Sequence, residues 1–189
     1  MKRLLLLLPL ICLCMPGCLL LSLHPYYEDD DIIEHDSFAG KWQSDDGKML
    51  WEFLPTDDGY RVTVDESGKQ GKFDVTPFKI SGELFLDFYP DMTNSDEVLS
   101  PFYMMHRMPV HSLIHIAKDG DAPLFRIPDF KWFAEYLREH PDAIEHEWID
   151  DGDFPLLSAG TQELQAFVMK HLNKEGAFND LKLERVPME

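Results

Sequence analysis

The chain has 189 residues, 35 of them acidic against 17 basic, and a net charge of −18 at pH 7. A field of that sign repels nucleic acid and anionic lipid surfaces, which sets nucleic-acid partners aside. All three cysteines, Cys12, Cys14 and Cys18, lie in the first eighteen residues. Beyond them no disulfide framework, thiolate metal site or cysteine nucleophile is on offer.

Lys2 and Arg3 form a short positive region, Leu4 to Leu13 an apolar stretch, and Met15-Pro16-Gly17-Cys18 breaks it with a small residue just before a cysteine. That order is a targeting segment's. It resembles the bacterial lipoprotein signal, in which a cysteine thiol is acylated and the chain is cut immediately before it. The resemblance implies lipid attachment at Cys18 and removal of residues 1–17. Met15 and Pro16 depart from the usual pattern, and Cys14 fits less well because Leu13 precedes it. Two other readings stay open. An ordinary cleaved signal wants an A-x-A-like site, yet the first alanine is Ala39. An uncleaved anchor could use Leu4 to Leu23, which carries no charge but is weakened by Pro9, Pro16 and Gly17. Every reading puts the body outside the cytoplasm, with Lys2 and Arg3 inside. The lipid-anchored reading places it on a membrane of the bacterial cell envelope.

Residues 18–37 read as the lipid anchor and an acidic tether. Glu28-Asp29-Asp30-Asp31, Glu34 and Asp36 lack the glycine and ligand spacing of a calcium loop, so a solvated segment is expected. Residues 38–189 then form a single domain, long enough to bury a core unaided.

From Phe38 onward the pattern is of short strands separated by turns. Met49 to Leu54 and Tyr60 to Asp65 alternate, with Asp57-Asp58-Gly59 between them. Lys72 to Ile80 is a third strand, in which Phe73 and Val75 share one parity and Phe78 and Ile80 the other. Pro77 at the switch predicts a bulge or break. Further strands are expected at Glu83 to Tyr89, Phe102 to Met108, Val110 to Ala117 and Leu124 to Ile127. Asp129 can cap a helix with Phe130, Phe133, Ala134 and Leu137 on one face, ending near His140-Pro141. Pro155 to Leu157 is one more short strand. Thr161 is the expected cap of a second helix, whose stripe is Leu164, Phe167, Val168, His171 and Leu172. Phe178 to Val186 is left open. The class is α+β and β-rich: an antiparallel meander forming a barrel or curved sheet, with two C-terminal helices packed on it.

Gly40-Lys41-Trp42 opens this run of strands, and there the chain weakly resembles the lipocalin superfamily, whose barrels begin with a G-x-W element. The likeness covers roughly residues 38–127 and implies that Trp42, with Gly40, closes one end of a barrel. The G-x-W step, Ser22-Leu23-His24-Pro25-Tyr26-Tyr27 and Glu163-Leu164-Gln165-Ala166-Phe167 are also similar to a group of uncharacterised bacterial envelope lipoproteins. That second likeness implies no activity.

No catalytic residue, metal ligand or cofactor is assigned. His111 and His115 share a strand face but lie about 13 Å apart at ~3.3 Å per residue, too far to share an ion. His140, Glu145, His146 and Glu147 are closer, yet they make no H-E-x-x-H spacing, because Trp148-Ile149-Asp150 follows. There is no G-x-S-x-G, P-loop or G-x-G-x-x-G. Aromatic and methionine content, with Met104, Met105 and Met108, leaves two expectations. One is an envelope lipoprotein that binds a small apolar ligand inside the barrel, its ligand-binding residues unassigned. The alternative is an interaction or scaffolding module of an envelope complex, with a protein partner and no small ligand.

Overall fold

A computed structural model describes residues 19–91, 108–118, 123–149 and 153–187. The first strand, β1 (Leu21–Ser22), precedes a meander of β2 (Gly40–Ser44), β3 (Met49–Thr56), β4 (Gly59–Glu66), β5 (Lys69–Ile80), β6 (Glu83–Pro90), β7 (His111–Lys118) and β8 (Leu124–Pro128). Within the meander each strand pairs antiparallel with the next. Helix α1 (Phe130–Glu139), β9 (His146–Ile149), β10 (Phe154–Leu157), helix α2 (Thr161–His171), β11 (Phe178–Leu181) and β12 (Leu183–Arg185) complete the fold. The expected strand Phe102 to Met108 lies outside the described residues except for Met108.

Of the two shapes expected, a barrel or a curved sheet, the second is found. The sheet is mixed and not closed. Strand β11 pairs with β8 and β12 with β2, with Lys182 between them. The tail thus joins both ends of the meander covalently, while no single strand pairs with both.

The far edge of β7 is shared by two partners. Its C-terminal half pairs with β8, the last pair being His115 with Arg126, and its first residues pair with β1, Leu21 opposite Ser112. β1 then pairs parallel with β10, Leu21 opposite Leu156, and β10 antiparallel with β9. The sheet forks at β7 into a β8–β11 branch and a β1–β10–β9 branch.

Both faces carry a core, and β6 and β7 are buried on both sides. The inner one gathers Trp42, Trp51, Phe53, Tyr60, Phe73 and Phe88 with Phe38 and Phe125. Rings from non-adjacent strands meet across it, Trp51 with Phe88 at 5.5 Å and with Phe125 at 6.0 Å. The outer core lies between the sheet and the helices, where Phe78, Phe85 and Leu113 pack with Phe133, Leu164 and Phe167.

That double core corrects the bulge expected at Pro77. Strand β5 keeps one register from Phe73 opposite Pro90 to Ile80 opposite Glu83. Phe73 and Val75 feed the inner core, Phe78 and Ile80 the outer one. The parity switch is therefore a change of core along a regular strand, because alternate side chains always face opposite sides of a sheet. Where β4 begins beside it, Gly59 has φ +140°, and a Cβ there would stand 2.4 Å from the Val75 carbonyl oxygen.

Helix α1 is capped as expected, Asp129 accepting the Trp132 backbone N–H at 2.8 Å. Helix α2 is not. Gly160 occupies its cap position without a side-chain hydrogen bond. The Thr161 hydroxyl instead donates to the Pro25 carbonyl at 2.9 Å.

The tether expected over 18–37 is the largest correction. Leu19, Leu20 and Leu21 are buried, β1 is hydrogen-bonded on both sides, and Tyr26 is buried. The acidic run forms a single 3-10 turn, Asp29–Asp31, and Ile32 then bridges to Phe78. No periodicity marks the apolar residues of this segment, yet Leu19, Leu21 and Ile33 join the inner core and Leu20, Tyr26 and Tyr27 the outer one, while Leu23 and Ile32 stay exposed.

Candidate functional site

The most unusual polar group of the fold is Asp87. It stands in β6 between Leu86 and Phe88, and it is 2 % exposed. Burial of a carboxylate is costly unless hydrogen bonds replace its water. Here both oxygens are used. Oδ2 accepts the Tyr26 backbone N–H at 3.0 Å, and Oδ1 lies 2.7 Å from Nδ1 of His111. Tyr89 packs on the His111 ring, centroids 4.7 Å apart.

An aspartate orienting a histidine can serve a nucleophile. Ser22 is opposite His111 in the β1–β7 register. Its hydroxyl is engaged elsewhere, donating to the His24 carbonyl at 2.8 Å and accepting the His24 N–H at 3.1 Å. The cluster consequently holds the turn after β1 and the entry of the N-terminal segment.

Contacts spaced along the segment extend that hold. The Tyr26 hydroxyl donates to the Leu20 carbonyl at 3.3 Å, and burial, then the nearby Asp87 charge, push its pKa up so that it stays a donor. Gln165 on α2 donates to the Tyr26 carbonyl at 3.1 Å and to Asp31 at 2.6 Å. The Ile33 N–H reaches the Pro77 carbonyl at 3.1 Å. The Tyr60 hydroxyl donates to the His35 carbonyl. Arg185 closes the series, donating to Ala39 and Ser37 carbonyls at 2.9 and 2.5 Å while its guanidinium lies 4.5 Å from the Trp42 ring centre.

The residues singled out from sequence fall in separate places. Cys18 lies outside the described residues, one peptide bond from buried Leu19. Gly40 has φ +115°, and Trp42, fully buried, donates from Nε1 to the Phe38 carbonyl at 2.7 Å. His115 is four residues from His111 and faces its own acid, Glu83, at 2.9 Å; burial lowers its pKa against the opposing effect of that acid. His140 stacks on Tyr136, while His146 holds the Ile144 carbonyl at 2.9 Å. Among the described residues no three His, Cys, Asp or Glu side chains gather in a metal-ligating group. No described helix is long and apolar enough to cross a membrane.

Sequence reasoning missed the Asp87–His111 pair, whose members are 24 residues apart. The available signal was one acid inside the otherwise apolar run Leu84 to Tyr89.

The outer surface carries acidic grooves. One of about 590 Å³ runs between the 29–36 segment and the β3–β4 turn, with Asp29, Glu34, Asp36, Asp57 and Asp58 on its walls. Another of about 570 Å³ lies along Asp142, Glu145, His146 and Glu147. Comparison with family models, with curated proteins and with solved structures finds no match to this chain.

Proposed function

We propose that this chain is an envelope lipoprotein, anchored through Cys18, whose body acts as a non-enzymatic protein-interaction module. The observation that carries the second part is the filled inner core. Trp42, Trp51, Phe53, Phe73, Phe88 and Phe125 are all buried there and meet ring to ring. Close packing of that kind among the described residues leaves the interior to side chains, which favours a protein partner over a small ligand held inside the sheet. What the described surface offers a partner is acidic and grooved. A protein with a basic face matches that field, and its association would be steered electrostatically and weakened by salt. The anchor rests on the sequence before Leu19, whose small residue and cysteine follow an apolar stretch.

Mild crosslinking on intact cells, followed by purification from membranes, tests the reading. A stoichiometric protein partner, lost when crosslinking is done at high salt, is the expected result. A monodisperse monomer that retains a small apolar molecule on extraction would overturn it.

A further inference from the structure

The residue after the expected acylation site is already part of the fold. Leu19 is 2 % exposed and Leu20 is fully buried, and consecutive Cα atoms are about 3.8 Å apart. No spacer therefore separates Cys18 from the folded body. The fork at β7 determines where this point lies. β8 leaves β7 after His115, and β1 joins the same edge at Ser112. The chain ahead of Leu21 must pass out between the two branches. Continuing the parallel register of Leu21 with Leu156 back by two residues sets Leu19 level with Phe154, the first residue of β10.

The groove at that exit is less acidic than the two described above. Phe130, which opens α1 after β8, stacks on Phe154 at 4.6 Å, so one aromatic pair spans the mouth of the fork. Both rings are half-buried. They border a shallow groove of about 270 Å³ in which Lys131 and Arg138 balance Glu135 and Asp153. On a body with so large an acidic excess this is a locally neutral patch with two part-exposed aromatic rings. Phenylalanine rings bury into the headgroup–acyl boundary of a membrane, and lysine and arginine stems reach headgroups from the same level.

We infer that this fork-side patch, built on Phe130, Phe154 and Lys131, is the face that rests on the lipid surface once Cys18 is acylated, so that the body is held flush against the bilayer in one orientation. The inference rests on the anchor reading proposed above. A restricted stance follows from covalent geometry: an anchor one residue before buried Leu19 and three before β1 leaves the body little chain on which to swing. The acidic grooves, not the Phe130–Phe154 mouth, are then left to face a partner.

The test uses full-length protein extracted from membranes and reconstituted in phosphatidylcholine–phosphatidylethanolamine vesicles containing lipids with a headgroup quencher. A fluorophore is placed at Lys131→Cys or, as the distant site, at Lys69→Cys, the exposed first residue of β5, two strands away from β7. Intact mass is read on each sample. Quenching several-fold stronger at position 131 than at 69 is expected, and twenty Gly/Ser residues inserted between Cys18 and Leu19 should remove the difference. Such a linker spans roughly 25 Å, enough to free the body. Equal quenching at the two positions in protein whose mass shows acylated Cys18 would overturn the flush seat alone. A mass without acyl groups would remove the anchor, and this inference with it.

Discussion

Asp87 reaches across 61 residues of sequence to hold the backbone N–H of Tyr26 at 3.0 Å, from a position 2 % exposed. One buried carboxylate thus ties the start of the chain to the middle of the sheet. The same acid fixes His111, so the entry of the N-terminal segment, the β1–β7 pairing and the outer core depend on a single group.

Replacing Asp87 by alanine leaves the Tyr26 N–H and the His111 ring without their acceptor, a loss worth about 3–5 kcal/mol. Asp87→Asn keeps one acceptor oxygen and should cost less than half as much. Urea midpoints rank the three proteins. Limited proteolysis should show cleavage between Leu23 and Tyr27 appearing first in the alanine variant.

His171 is 1 % exposed, neither ring nitrogen has a hydrogen-bond partner among the described residues, and Tyr136, Phe167, Trp132 and Phe133 surround it. Burial first, then Lys170, Lys174 and His140, depress its pKa from 6.5 to about 4. Between those two values the unfolded chain binds a proton that the folded chain does not, so stability falls as pH drops from 6.5 towards 4. The loss is on the order of 3 kcal/mol at most. His171→Phe should flatten that window, read as unfolding free energy against pH. An unchanged slope would mean that another group is responsible.

Gly59→Ala places a Cβ 2.4 Å from the Val75 carbonyl at a φ of +140°. Strain of this type costs ~1–3 kcal/mol before any clash is relieved. A fall in Tm of roughly 5–10 °C is expected for a chain of this size. Gly68→Ala is the control: with φ +85° it is strained too, but no atom lies within 4 Å of its added Cβ, so it should lose less.

Arg185 joins β12 to β2 and the residues just before it, through the Ser37 and Ala39 carbonyls and the Trp42 ring. Lysine cannot reproduce a planar fork over a ring. Both Arg185→Ala and Arg185→Lys should destabilise by about 1–2 kcal/mol. Hydrogen exchange should show the loss first at the β12–β2 pairs.

Alternation made the meander readable from Met49 to Ile127, because strands with one or both faces buried repeat every two residues. The parity switch at Pro77 was visible, but its meaning was not: one strand cannot show that a second core waits on its other face. Residues 19–37 were illegible for a different reason. Leu19 to Leu21 continue the apolar run of the targeting segment, and β1 is two residues long, so its pairing is decided by β7 and β10, far along the chain. The Asp87–His111 pair was hidden likewise, since its meeting depends on the β6–β7 register. β11 and β12 each borrow a partner from elsewhere in the chain, and their own residues carry little strand pattern.

Under the proposal above, Cys18 carries the lipid one residue before Leu19, which is 2 % exposed. Intact mass of the membrane-extracted protein, wild type against Cys18→Ala, tests it most directly. A wild-type chain beginning at Cys18 with added acyl groups, and no such species in the variant, is the predicted result. An unmodified wild-type chain with any other start would contradict it.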